Sequence, residues 1–80
     1  MYLEIITPDK KVFEGEVNMV QLPGSKGSFT ILKKHAPIIS TLEKGTIKVQ
    51  DITGQEYQFD VGGGVVENVA NKVIVLVESV

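Results

Sequence analysis

Thr46-Ile47-Lys48-Val49-Gln50-Asp51-Ile52-Thr53-Gly54-Gln55-Glu56-Tyr57-Gln58-Phe59-Asp60-Val61 is the stretch on which the fold turns. Tyr57, Phe59 and Val61 alternate strictly with Glu56, Gln58 and Asp60, the period that sets one side of a strand against a core and the other in water. Thr46 to Ile52 precedes the turn residues Thr53-Gly54, so the stretch reads as a hairpin with one wet face.

Outward from this hairpin the punctuation is regular. Pro8-Asp9, Gly15, Pro23-Gly24 to Gly27, His35 to Pro37, Gly45, Gly62 to Gly64 and Ala70-Asn71 leave room only for short strands. Leu3 and Ile5 alternate with Glu4, Pro8-Asp9-Lys10-Lys11 has the composition of a type I turn, and Val12-Phe13 starts a second short strand. Glu16 to Leu22 changes phase, since Val17 and Met19 fall on odd positions and Val20 and Leu22 on even ones; either both faces are covered or a bulge intervenes. Phe29 with Ile31, Ile38-Ile39 to Leu42, and Val65-Val66 with Val69 supply further strands. Val73 to Val77, five apolar residues in a row, predicts a strand covered on both sides.

Composition agrees. Val, Ile and Thr number 25 against 7 for Ala and Leu together, a bias towards strand, and no segment carries the 3.6 period of a helix. The expectation is an all-β chain: one domain over residues 1–80, built as a small two-sheet β-sandwich or flattened barrel of short strands. There is no cysteine, which removes disulfides, thiolate metal sites and Cys nucleophiles. Eight Lys, no Arg and ten acidic residues give a net charge of -2, which argues against nucleic acid or anionic lipid as a partner. No apolar run approaches the roughly 20 residues of a membrane helix, and no signal-peptide pattern opens the chain. These features together read as a soluble domain of a reducing compartment.

Little in the sequence suggests catalysis. His35 is the only histidine and has no acidic cluster near it, so it reads as a loop or packing residue. Gly62-Gly63-Gly64 lacks the Lys-Ser/Thr and the helix of a phosphate loop and reads as a tight strand connection. In Asp51-Ile52-Thr53-Gly54 an inserted Ile52 breaks the Asp-Thr-Gly of aspartic proteases. Glu14 and Glu16, bracketing Gly15, read as solvated carboxylates. A chain of 8.7 kDa should expose about 4,700 Å² when folded. A standard interface takes roughly 800 Å² per partner, so two interfaces fit where a deep pocket would consume the core.

The order of the motifs resembles the N-terminal β-sandwich domain of the epsilon subunit of F-type ATP synthase. Four stretches carry the resemblance: Leu3 to Pro8 followed by Val12 to Val17; Val20-Gln21-Leu22-Pro23-Gly24-Ser25-Lys26-Gly27; His35-Ala36-Pro37-Ile38-Ile39 with Leu42, Gly45 and Ile47; and Val61 to Glu67 with Asn71-Lys72-Val73. The resemblance implies a non-catalytic rotor component without a cofactor, seated at the foot of the central stalk between the gamma subunit and the ring of c subunits. There it would help couple proton translocation to ATP synthesis, at the cytoplasmic face of a bacterial inner membrane and attached only through the complex. Carried over by resemblance, Ser25, Lys26, Gly27 and Ser28 would face the c ring with His35, Ala36 and Pro37 close by, and Ile38, Ile39 and Ser40 would run towards gamma. Gly24 and Gly27 suit such a loop by permitting positive backbone dihedrals, and Pro37 stiffens the entry to the next strand.

Two departures stand out. Where family members commonly carry an acidic residue, a second glycine and then Pro-Gly before His-Ala-Pro, this chain has Ser28, Thr30 and Lys33-Lys34, which makes the region more positive. Longer relatives also continue into two C-terminal helices that inhibit ATP hydrolysis and, in some members, bind ATP. Taken as complete at Val80, the chain is expected to lack that inhibition and any nucleotide site built from those helices. Two readings from other classes stay open: a generic β-sandwich module binding carbohydrate or protein, and a dimeric acid protease.

Overall fold

The strands follow one another with no helix between them: β1 (Tyr2–Ile6), β2 (Lys11–Leu22), β3 (Phe29–Leu32), β4 (Ile38–Leu42), β5 (Gly45–Asp51), β6 (Glu56–Val61), β7 (Gly64–Val69) and β8 (Lys72–Val77). They are taken from a computed structural model that describes residues 1–80. Hydrogen bonding orders them β4-β7-β8-β1-β2-β5-β6, with β3 on the remaining side of β2. All pairs are antiparallel except β1 with β8.

One strand belongs to both layers. Lys11 to Glu16 of β2 pairs with β1, whereas Val17 to Leu22 pairs with β5 and β3. The ladder to β5 slips between Val17 and Met19, and Asn18 Nδ2 donates to the Asp51 carbonyl across the slip (3.2 Å). This bulge is the cause of the phase change in the sequence. It lets Val17 and Val20, three residues apart, both point inward and be fully buried. What reads as two short strands is therefore one strand of 12 residues that turns the corner between the sheets.

The sandwich closes on its far side without a strand. Gly24 bridges Leu42, Ser25 N–H donates to the Thr41 carbonyl (3.0 Å) and Glu43 N–H to the Pro23 carbonyl (2.8 Å), stitching the exit of β2 to the free edge of β4. Between the layers, Leu3, Ile5, Val17, Val20, Leu22, Ile31, Ile47, Val66, Val73 and Val75 are completely enclosed. Phe13 stands edge-on to Tyr57 and Phe59, with ring centroids 5.3 and 5.9 Å away, and shields the end of this core.

The all-β sandwich or flattened barrel expected from the sequence is the fold observed, and the hairpin forms at β5–β6 in the register Lys48↔Gln58. A second local expectation fails. In β8 only Val73, Val75 and Val77 point into the core, while Ile74 is half-buried and Leu76 is 47% exposed. The run of five apolar residues is covered on one side by this chain and left open on the other.

Candidate functional site

The loop from Gly24 to Ser28 is shaped by contacts that only glycine permits. Gly27 N–H donates to the Gly24 carbonyl (3.0 Å), closing a turn around Ser25 and Lys26, and Gly27 has φ +123. Gly24 is glycine for another reason than the backbone freedom expected of it. Its φ is ordinary, but a Cβ there would lie 2.6 Å from the Gly27 carbonyl oxygen and 2.7 Å from the Phe29 ring. Ser25, Lys26, Gly27 and Ser28 are consequently held out of the sandwich, and all four are exposed.

His35, Ala36 and Pro37 are exposed as well, but they hang from a different part of the fold. His35 N–H donates to the Leu32 carbonyl (3.1 Å), and the turn so closed has Lys33 and Lys34 at its centre with Lys34 at φ 63. Positive φ at the third position of a turn is where glycine is free and lysine is strained, so Lys33-Lys34 does by constraint what Pro-Gly does by propensity. The constraint comes from the β7–β8 hairpin: Lys34 N–H donates to Asn71 Oδ1 (3.4 Å), and Asn68 Nδ2 donates to the carbonyls of His35 and Ala36.

β4 separates these two loops. Ser25 is tied to Thr41 near its end, whereas Asn68 is in register with Ile38 at its start. Along the strand, Ser25 and Lys26 line a recess of about 420 Å³ together with Ile38, Ile39, Ser40 and Thr41. Strand parity divides the three residues assigned to one partner. Ile38 packs against the core and Ser40, opposite buried Val66, is half-buried, but Ile39 points outward and is 71% exposed.

Ile39 belongs to a larger surface that the sequence pattern concealed. On the outer face of β4-β7-β8-β1, the row Thr41, Val65, Leu76, Ile6 lies beside the row Ile39, Glu67, Ile74, Glu4. Ile6, Pro8, Val65 and Leu76 line a shallow recess of about 430 Å³ at one end. Across β1 and β2 the same face turns polar: Tyr2 donates to Glu14 (2.7 Å), and Lys11 lies 3.2 Å from Glu14 and 3.5 Å from Glu4. The Tyr2 and Lys11 bonds hold the Glu14 carboxyl below its ordinary pKa, and Glu14 in turn raises those of Tyr2 and Lys11. The one signal for the apolar half was the apolar run of β8, whose second side this chain leaves open.

The residues with superficial catalytic patterns serve as turns. Asp51 Oδ1 accepts from Thr53 Oγ1 (2.6 Å), Thr53 N–H (2.9 Å) and Gln55 N–H (3.0 Å), and Oδ2 accepts from Tyr57 (3.1 Å). The Thr53 hydroxyl, followed by the backbone donors and Tyr57, lowers the Asp51 pKa, opposite to what a shared-proton dyad requires. A lowered carboxyl stabilises the fold above the unfolded carboxylate value near 4 and ceases to do so as pH falls through its folded value. Asp51→Ala is thus expected to be less stable than the parent at pH 7 and to close that gap below about pH 4 in urea titrations across pH. A gap that stays constant into strong acid would disprove the assignment. Tyr57 and Phe59, in register with Val49 and Ile47, face inward and offer no aromatic platform to a sugar. No group of three or more His, Asp or Glu side chains is arranged to hold a metal ion.

The fold and its surfaces thus define a small β-sandwich, with two exposed loops flanking one edge strand and an open apolar sheet face beside it. The family described as "ATP synthase, Delta/Epsilon chain, beta-sandwich domain" matches residues 1–80, and the chain belongs to that family. It is 43% identical over 77 residues to the ATP synthase epsilon chain of Desulfatibacillum aliphaticivorans, covering 96% of this chain and 55% of that one. To the epsilon chain of Chlorobaculum tepidum it is 41% identical over 78 residues, covering 98% of this chain and 89% of that one. A similar fold occurs in the mitochondrial ATP synthase of Euglena gracilis, a structure of OSCP, F1 and c-ring, with TM-score 0.88 and 22% identity over 98% of this chain and 51% of that one. The chain therefore spans little more than half of some relatives and most of others.

Proposed function

We propose that the chain is a non-catalytic component of the central stalk of F-type ATP synthase, binding the gamma subunit and the c ring and so helping to couple proton translocation to ATP synthesis. The open face around Ile39 and Leu76 is the docking surface for gamma. The exposed loops, Ser25 to Ser28 and His35 to Pro37, meet the polar loops of the ring. Attachment to the cytoplasmic face of a bacterial inner membrane would run entirely through the complex. The observation that carries this reading is an apolar outer face on strands whose inner face already fills the core, in a chain of this family.

Reconstitution tests the ring half of the proposal. Lys26→Ala and Ser28→Ala are both exposed and should leave melting within about 0.5 kcal/mol of the parent. Together they should lower ATP-driven proton pumping in membranes supplied with the variant by roughly two- to fivefold, the scale of a few rim contacts. Pumping at the parental rate would show that the loop is only a turn.

A further inference from the structure

We infer that Asn68 is a positioning residue for the segment His35–Pro37, holding it from inside the sandwich so that its side chains present a fixed outer surface. Asn68 is 1% exposed and sits on the core face of β7, in register with Ile38 on one side and buried Val73 on the other. Its neighbour on that face, Val66, is fully enclosed, so an apolar side chain is what the position asks for. The amide instead sends its Nδ2 outward under the loop, where it donates to the carbonyls of His35 (3.4 Å) and Ala36 (3.3 Å). Its Oδ1 is buried and has no partner.

The two carbonyls settle which way the amide faces. Turned over, it would set its oxygen against two carbonyl oxygens, acceptor against acceptor. The core therefore bears a desolvated carbonyl while the benefit falls on the loop. The loop has few other ties. Lys33 to Pro37 are all exposed, and Lys34 holds a positive φ. The remaining bonds are the turn bond from His35 N–H to the Leu32 carbonyl (3.1 Å), the long one from Lys34 N–H to Asn71 and one between His35 Nδ1 and the Ala36 carbonyl (2.7 Å). With its carbonyls drawn inward by Asn68, the segment keeps His35, Ala36 and Pro37 outward. Fixing a contact loop before binding removes part of the ordering that association would otherwise require.

Only the last step, what the loop touches, rests on the proposed function, and the test separates the two. Asn68→Val and Asn68→Leu remove the donors and the unpaired oxygen together. Both are expected to melt at or above the parental temperature. Amide order parameters of His35 and Ala36 should nevertheless fall from the rigid level of about 0.85 to below about 0.6. Binding to a stalk assembly lacking this subunit should weaken by about fivefold. Unchanged order parameters, or a melting temperature that falls as for any truncated core residue, would overturn the inference. If the loop loosens but neither these variants nor His35→Glu changes binding, Asn68 keeps its role and the assignment of this loop to a partner fails.

Discussion

Gly64→Ala is expected to lose about 3 kcal/mol or more, whereas Gly62→Ala, two residues earlier in the same glycine run, should stay within about 0.5 kcal/mol of the parent. A Cβ on Gly64 would clash with the Leu76 carbonyl oxygen and lie 2.9 Å from the Cα of Val77. Both obstacles are backbone, so relief requires moving β7 off β8. Gly64 pairs with Val77 on one side and Leu42 on the other, and a shift there disturbs the ladders to both. At Gly62 a Cβ meets only the hydroxyl of Ser79, at 3.0 Å and free to rotate away. Gly63 is intermediate, since its φ of +126 strains any L side chain although the nearest atom is 3.4 Å distant. For a domain of this size each kcal/mol moves the melting temperature by about 4–8 °C, so calorimetry should rank the variants in the order 62, 63, 64 by roughly 12 °C or more end to end. Equal melting of the alanine variants at 62 and 64 would show that the strands are not seated as described.

This run also illustrates what the sequence disclosed. That Gly62-Gly63-Gly64 is a strand connection and not a phosphate cradle was legible, because the accompanying lysine and helix are absent. Why three glycines stand there was not, because the reason for Gly64 is a backbone on a strand twelve residues further on. Alternation made the β5–β6 hairpin legible at once, since half-burial writes itself as a period of two. The bulge in β2 was visible only as a change of phase, and choosing between bulge and double coverage required knowing that Val17 and Val20 share a side. The stitching of Pro23 to Ser25 against β4 had no signal at all, being made by backbone atoms.

The candidate site was legible to a similar depth. Ser25 to Ser28 and His35 to Pro37 could be singled out as exposed turns, and the second leads directly into β4, but the tie of Ser25 to Thr41 and the hold of Asn68 on His35 have no local pattern behind them. Ile38, Ile39 and Ser40 formed one assignment in sequence and split by face in the fold. In β8, apolar residues on both sides predict coverage of both sides, and the fold covers one. The expectation of coverage on both sides fails, and the uncovered side is what directs attention to a partner.

The largest functional effect is expected on that uncovered face. Replacing Ile39 and Leu76 together by Asp should weaken binding to gamma in a stalk assembly lacking this subunit by at least about 100-fold, the consequence of burying carboxylates without a counter-charge. The fold should survive, because the two side chains are 71% and 47% exposed and neither fills the core. Gln58→Asp, exposed on the other sheet, adds negative charge without touching this face and should bind within about twofold of the parent. Parental affinity in the double variant would remove gamma from this surface. The sign of the charge separates two ways in which the face can work. Ile39 is in register with Glu67, so a lysine at 39 can pair within the sheet where an aspartate is repelled. If the partner selects by apolar burial, Ile39→Lys and Ile39→Asp should lose comparable affinity. If it selects through the carboxylates Glu4, Glu14 and Glu67 on the same face, the lysine variant should lose more, because it offsets their charge as well as breaking the contact.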